Sequence, residues 1–313
     1  MTSQRGNYQC DDVAIVYLND RFVEPGNCAV SLFDRGYLLG DGVFDTMRAY
    51  DGRIFALEEH VRRFQVAAEI ADIPLEMWET TLADLLVESV SQSGLRDAYV
   101  RVTVSRGAAG AGIAASSAEA PTLSIIVRRL PHHYPAAAYA EGIETIILKL
   151  RRIPPCCTGA TIKSTNYLPT ILARRELIAA KMIEGIQLGV DGAAACGSVS
   201  NLFVVCEGCL LTPTLDSGAL PGVTRHFVLQ LARELSIPAA EVCISRGDLM
   251  RATEVFFTNT LMELLPVRSI CGTGIAAAPG PFTRQLMQAY AARVGRHGSP
   301  ASTRSEVSAL ELQ

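Results

Sequence analysis

The chain has 313 residues, of which 49% are hydrophobic and 19% charged, with a formal net charge of −4. This composition excludes a mainly disordered, collagenous or polyelectrolyte chain and fits a soluble enzyme of about two domains. The 28 basic residues are scattered among 32 acidic ones, so no basic stripe is available for nucleic-acid binding by counterion release.

The first twelve residues are polar, with neither an apolar segment nor a small-residue cleavage site, and nothing marks them for secretion. The longest uncharged stretches, residues 107–118 and 269–283, are too short or too polar to span a bilayer. The nine cysteines are irregularly spaced, which predicts free thiols in a reducing, cytoplasmic setting.

Along the chain, strands are predicted over residues 13–18 and 21–23 around an Asn19-Asp20 hairpin turn. Leu57, Val61, Phe64, Ala68 and Ala71 recur at helical spacing, and Trp78, Leu82, Leu85, Leu86 and Val90 mark a second helix ended by Gly94. Strands over 99–104 and 123–127 flank a Gly/Ala/Ser-rich loop, residues 107–117, long enough for a lid. The proline-bounded segment 130–135 breaks all periodicity. The expected division is a smaller N-terminal α/β domain (1–130), a linker (131–135), a C-terminal domain (136–297) and a polar tail (298–313).

The C-terminal part reads as a strand over 144–150, a helix over 168–184 stopped by Gly185, and a hairpin within 202–211. A helix from Thr224, strands near 241–244 and 255–258, and a final helix over 282–294 follow. Strands and helices alternate without strict βαβ repetition, so the fold class is α/β or α+β, in two layers or a distorted barrel. Cys206 and Cys209 have CxxC spacing but lie in that hairpin around a Glu-Gly turn, and a metal site would need a second such pair, which the sequence lacks. No metal is expected.

Lysine is scarce: Lys149, Lys163 and Lys181 are the only three. Lys149 and Lys181 have plain surface readings. Lys163 stands at the junction between Ala160-Thr-Ile162 and an apolar helix, where a desolvated amine would be able to form a Schiff base, although most lysines are simply solvated. Leu220-Pro-Gly-Val-Thr-Arg225 runs into a helix. Either its N-terminus cups a phosphate or Thr224 N-caps the helix. Thr258-Asn-Thr260 adds hydroxyls at a strand end, where ligands often bind.

These segments coincide with a family. Asp34-Arg-Gly-Tyr-Leu-Leu-Gly-Asp-Gly-Val-Phe44, Glu59-His-Val-Arg-Arg-Phe64, Ile162-Lys-Ser-Thr-Asn-Tyr167, Ser200-Asn-Leu-Phe203, Gly222-Val-Thr-Arg225 and residues 258–267 resemble the class IV pyridoxal-phosphate aminotransferases. That group, fold type IV, includes branched-chain and D-amino-acid aminotransferases and aminodeoxychorismate lyases. The resemblance implies two domains with pyridoxal 5'-phosphate between them, the larger a C-terminal pseudo-barrel, in a homodimer whose partner loop helps close each site.

Position by position, it implies Lys163 as the Schiff-base lysine and Arg63, Val223, Thr224 and Thr260 as phosphate ligands. Tyr167 would sit at the cofactor's phenolic oxygen, and Tyr37, Phe44 and Leu261 would line the substrate pocket. The implied reaction moves an amino group from a small amino acid or amine to a 2-oxo acid. An aminodeoxychorismate-lyase-like elimination, or a degenerate cofactor-binding protein, is the alternative.

Two departures stand out. Relatives place a glutamate at the pyridine nitrogen, five residues before the Asn of Asn-Leu-Phe; here that position is Cys196, whose neutral thiol would weaken the electron sink. The loop after Arg106 also lacks the arginine or histidine that binds substrate carboxylates in D-amino-acid aminotransferases and aminodeoxychorismate lyases. The sequence therefore predicts backbone amides and Thr260 in that role, or an amine or uncommon acid as substrate.

Overall fold

Antiparallel pairing of the early strands builds the first half of the protein, a computed structural model that describes residues 12–75, 79–109, 113, 120–130, 134–158 and 162–295. The strands are β1 (Val13–Leu18), β2 (Arg21–Val23), β3 (Gly42–Tyr50), β4 (Arg53–Ile54), β5 (Ala98–Ser105) and β6 (Thr122–Arg129), in the order β2-β1-β6-β5-β3-β4. Between them run α1 (Arg35–Leu39), α2 (Leu57–Ile70) and α3 (Glu79–Ser93). The apolar stripe of α2, with Val61, Phe64, Ala67 and Ala68, packs on Val43, Met47, Val100 and Val102 of the sheet and on Leu82 and Leu86 of α3.

β3 positions the site because it is buried on both faces. Side chains alternate across a strand. Its odd residues Val43, Asp45 and Met47 therefore meet α2, while Phe44, Thr46, Arg48 and Tyr50 face the second half of the chain. The sequence gives no sign of this strand, because burial on both sides removes the polar–apolar alternation that marks a half-buried one.

The second sheet contains β7 (Ile143–Ile147), β8 (Glu184–Leu188), β9 (Ala194–Gly197), β10 (Asn201–Cys206), β11 (Cys209–Pro213), β12 (Ala239–Val242), β13 (Glu254–Asn259), β14 (Glu263–Ile270) and β15 (Thr273–Gly274). Their order is β12-β11-β10-β13-β14-β7-β8-β9, with β15 against β14, and it mixes parallel and antiparallel pairs. A bridge from Ala194 to Ile244 curls the β9 edge back towards the start of the order. The mixed α/β architecture with a curled, half-barrel sheet agrees with the fold class read from the sequence.

Alternation again separates the faces. Leu202, Val204, Val255, Phe257, Leu265 and Val267 fill the inside of the curl. Phe203, Val205, Phe256 and Leu264 pack under α7 (Val223–Glu234) and α9 (Pro281–Arg293). The remaining helices are α4 (Ala136–Glu141), α5 (Pro155–Thr158), α6 (Leu168–Ala179) and α8 (Arg246–Arg251).

The helix expected over 168–184 stops at Ala179, because Lys181 takes a left-handed backbone (φ 56°) and Glu184 opens β8. Glu184 is fully buried and accepts hydrogen bonds from Gly185 N, Ser198 N and Ser200 Oγ, which a helical placement would forfeit. Cys206 and Cys209 face each other across the Glu207-Gly208 turn, as expected, and the eight cysteines among the described residues are free thiols. No described helix is long and apolar enough to cross a membrane. Trp78, residues 131–133, the tail and most of the 107–117 loop lie outside the described residues.

Candidate active site

Lys163 is strapped to the first sheet although it follows the second sheet's first strand in the chain. Phe44 N donates to Lys163 O at 2.9 Å, Thr165 N donates to Gly42 O at 2.8 Å, and Ser164 bridges to Val43, so this segment continues the sheet beside β3. Thr165 Oγ1 and Asn166 Nδ2 both donate to Gly40 O, at 2.8 and 3.0 Å. The lysine side chain then projects into a cavity of about 250 Å3 between the two halves. Its Nζ donates to Tyr167 OH at 3.1 Å and lies 4.5 Å from the centre of the Phe44 ring.

A second set of cavity residues gathers at a helix N-terminus. α7 begins at Val223, its N-cap is Gly222 with no side-chain cap, and no acidic residue occupies its first turn. The first N–H groups of a helix have no partner within the helix and sit at the positive end of its dipole. Thr224 does not N-cap the helix: it lies inside it, and it lines the cavity beside Val223. Asn201 Nδ2 holds the approach by donating to Leu220 O at 2.9 Å, and a Cβ on Gly222 would come within 2.0 Å of Asn201 Oδ1. Only glycine permits that approach.

Arg63 reaches the same cavity from α2. Its Nε and Nη2 donate to the two oxygens of Asp45 at 2.8 and 2.7 Å, and Nη1 donates to Pro221 O at 3.3 Å. Burial alone would raise the Asp45 pKa, but the charge of Arg63 and the hydrogen bonds from Arg63 and His60 override it and hold the carboxyl well below its usual range. His60, also fully buried, is held low by desolvation, partly offset by Asp45. Thr260 and Leu261 complete the lining from the turn after β13, which Asn259 orders by accepting from Leu261 N and Met262 N at 2.9 and 2.8 Å.

The cavity gathers Arg63, Lys163, Tyr167, Val223, Thr224, Thr260, Phe44 and Leu261 from the sequence-predicted set. It does not gather Tyr37 or Cys196. Tyr37 stands 71% exposed on α1, whose apolar side chains point away from this chain's core. Cys196 is buried in β9 with Ala195, Ala219 and Leu215, its Sγ 3.8 Å from Gln187 Oε1, and burial pushes its thiol up to about 11.

Sequence reasoning missed Arg101 and Tyr99. They extend from β5, opposite Thr46 and Arg48 of β3, and both line the cavity. The Arg101 guanidinium lies 3.7 Å from the centre of the Phe44 ring, and no acid pairs with it among the described residues. The available signal is periodicity: Tyr99 and Arg101 share one face of β5. Among the described residues, the lining therefore carries three cations, Arg63, Arg101 and Lys163, and no carboxylate.

Comparison with known proteins follows the same lines. The family model for amino-transferase class IV matches residues 42–270. A Methanocaldococcus jannaschii protein assigned as a branched-chain-amino-acid aminotransferase is 35% identical over 276 residues, covering 88% of this chain and 94% of that one. Aminodeoxychorismate lyase of Bacillus subtilis is 31% identical over 280 residues, covering 88% and 93%. Among solved structures, a branched-chain amino acid aminotransferase with pyridoxamine 5'-phosphate superposes with a TM-score of 0.86 at 28% identity, covering 91% of this chain and 95% of that one.

Proposed function

Because this chain belongs to the class IV aminotransferases, enzymes that use pyridoxal 5'-phosphate, we propose that it transfers an amino group between a small amino acid or amine and a 2-oxo acid, with Lys163 as the residue that carries the cofactor. The observation behind this reading is the charge of the cavity: three cations and no carboxylate among its described lining residues. Such a cavity selects anions at every step, and the cofactor phosphate and the carboxylates of amino and oxo acids are anions.

The donors fit the cofactor. Arg63, the free N–H groups of Val223 and Thr224 and the Thr260 hydroxyl suit a phosphate, which prefers a guanidinium fork and a helix N-terminus. Tyr167, held beside Lys163, suits the phenolic oxygen. When bound, the cofactor supplies an aldehyde for the amine and a conjugated ring that accepts electrons released at the substrate Cα. Lys163 Nζ would supply the base: no carboxylate among the described residues pins it, and its amine would take up and return the proton of the substrate Cα. Phe44 and Tyr167 wall the amine from water on the side where their rings meet edge to face, 5.0 Å apart.

Arg101 supplies the substrate's acid recognition, in place of the loop arginine that the sequence lacks. Its guanidinium fork matches a carboxylate bidentately, and its placement over Phe44, near Lys163, directs that carboxylate towards the reacting amine. The reading thus favours an amino donor or oxo-acid acceptor that carries a carboxylate.

The relationship to an aminodeoxychorismate lyase keeps elimination as a second reading, and Cys196 is the residue that bears on it. In this proposal the position supplies no carboxylate to the ring nitrogen, only a neutral thiol buried behind the cavity lining, and the electron sink is weak. Cys196→Glu is expected to speed the first half of transamination in stopped-flow absorbance, whereas Cys196→Ser leaves it unchanged. Loss of a native elimination in the glutamate variant, with transamination gained, would favour the lyase.

We further propose a homodimer. Leu32, Phe33, Tyr37, Leu38 and Leu39 are exposed around α1, and Leu168, Ile171 and Leu172 are exposed on α6, which the Asn166–Gly40 hydrogen bond joins to it. An apolar face of this extent calls for a cover, and a second copy packed across a two-fold axis would carry Tyr37 to the neighbouring cavity. Borohydride reduction and peptide mapping test the central claim. The pyridoxyl group is expected on Lys163; finding it on Lys149 or Lys181 would overturn the assignment.

A further inference from the structure

Asp45 presents a puzzle that the proposed chemistry leaves open. A carboxylate with no exposed surface directly opposes the one arginine assigned to the phosphate, and a buried anion beside an anion site should weaken that site. Its hydrogen bonds resolve the matter. Asp45 Oδ2 accepts from Arg63 Nε, and Oδ1 accepts from Arg63 Nη2, from Thr46 N at 2.6 Å and from His60 Nδ1 at 3.0 Å. The Asp45 contact fixes the tautomer: Nδ1 carries the His60 proton, so the 3.4 Å approach of Arg63 Nη2 to Nδ1 joins two donors and is no hydrogen bond.

A guanidinium has five N–H groups in a rigid plane. Asp45 takes two of them, on Nε and Nη2, and Pro221 O takes one on Nη1. One N–H remains on each terminal nitrogen, the pair that grips a tetrahedral anion. The Arg63 side chain is 13% exposed and lines the cavity, whereas its Asp45 partner has no exposed surface.

We propose that Asp45 is the positioning residue of the phosphate site: with His60 fixing its carboxylate, it occupies the side edge of Arg63 and so aims the end-on edge at the phosphate. This rests on the reading that Arg63 binds that phosphate. The charge that Asp45 subtracts is offset by preorganisation, since an arginine already immobilised loses little freedom on binding.

The test compares two probes on the full-length chain, pyridoxal 5'-phosphate and pyridoxal, which lacks the phosphate. Asp45→Asn keeps the shape and removes the charge. It is expected to weaken affinity for pyridoxal phosphate about tenfold or more while leaving pyridoxal affinity unchanged. Equal weakening of both probes would mean a merely structural role and overturn the proposal, as would an unchanged ratio. Arg63→Ala separates the two claims. If it leaves the ratio unchanged, the phosphate assignment itself fails; if it collapses the ratio while Asp45→Asn does not, only the role of Asp45 fails. Should Asp45→Asn not fold, Arg63→Lys decides instead, because an ammonium has no second edge to aim. It is expected to lose the phosphate preference as the alanine variant does, and a retained preference would overturn the proposal.

Discussion

Arg101 carries no acid partner among the described residues and lies over the Phe44 ring, so its removal should act on substrate rather than on stability. Arg101→Met is expected to raise KM for amino-acid donors roughly 10- to 100-fold, the scale of one charge-assisted pair, while an amine donor without a carboxylate changes little. Steady-state kinetics with both donors check this. Cys196 gives a pH signature. Burial lifts its thiol from 9.0 to about 11. The folded state therefore holds the proton more tightly, and the resulting stability is complete below pH 9 and lost as pH rises through 11. The unfolding free energy of the wild type from urea titration should fall across that window by at most about 3 kcal/mol on account of this thiol, and Cys196→Ala should remove that contribution to the slope. Single residues are readable in the sequence where chemistry makes them rare or oddly placed, as with Lys163. Arg101 and Asp45 are not, because their meaning comes from the strand face they share with residues tens of positions away.

Secondary elements divide by the same rule. Hairpins and amphipathic helices are legible because turn residues and one-sided burial leave a local pattern: Asn19 and Glu207 adopt left-handed turns, and α2 shows its apolar stripe. β3, β8 and β14 are not, since β3 and β8 are buried on both faces and β14 nearly so. The motif 34–41 proves largely scaffolding. Asp34 Oδ2 accepts from Ser105 Oγ and Thr122 Oγ1 at 2.8 and 2.7 Å, and Asp41 Oδ2 accepts from Arg35 Nε and Arg106 Nε at 2.8 and 2.9 Å. At the start of α7 the element's position depends on one missing side chain. Gly222→Ala drives a methyl into Asn201 Oδ1, so the Asn201–Leu220 bond must break and the helix N-terminus shift. Cofactor titration should show affinity about tenfold weaker, the equivalent of one hydrogen bond's worth of displacement, with the melting temperature little changed.

For the whole molecule, the proposed dimer makes a direct prediction. Placing a charge in the apolar face, as in Leu38→Glu, is expected to give monomers in sedimentation velocity, with activity lost because Tyr37 no longer meets a neighbouring cavity. A monomer with full activity would remove Tyr37 from the site. We also propose the division near residues 131–135 as a domain boundary, and limited proteolysis should cut there first. The two-sided construction of the cavity also bears on how the chain is made. Its walls run from Phe44 to Leu261, while the first sheet is complete in sequence by Arg129. On the ribosome, at about 5–20 residues per second, the sheet that bears Arg63's anchor therefore waits on the order of ten seconds for its other wall. Lys163 and the α7 N-terminus enter only during that interval, so the cofactor meets a complete cavity only after Leu261 has been added, and loading belongs to the last stage of synthesis.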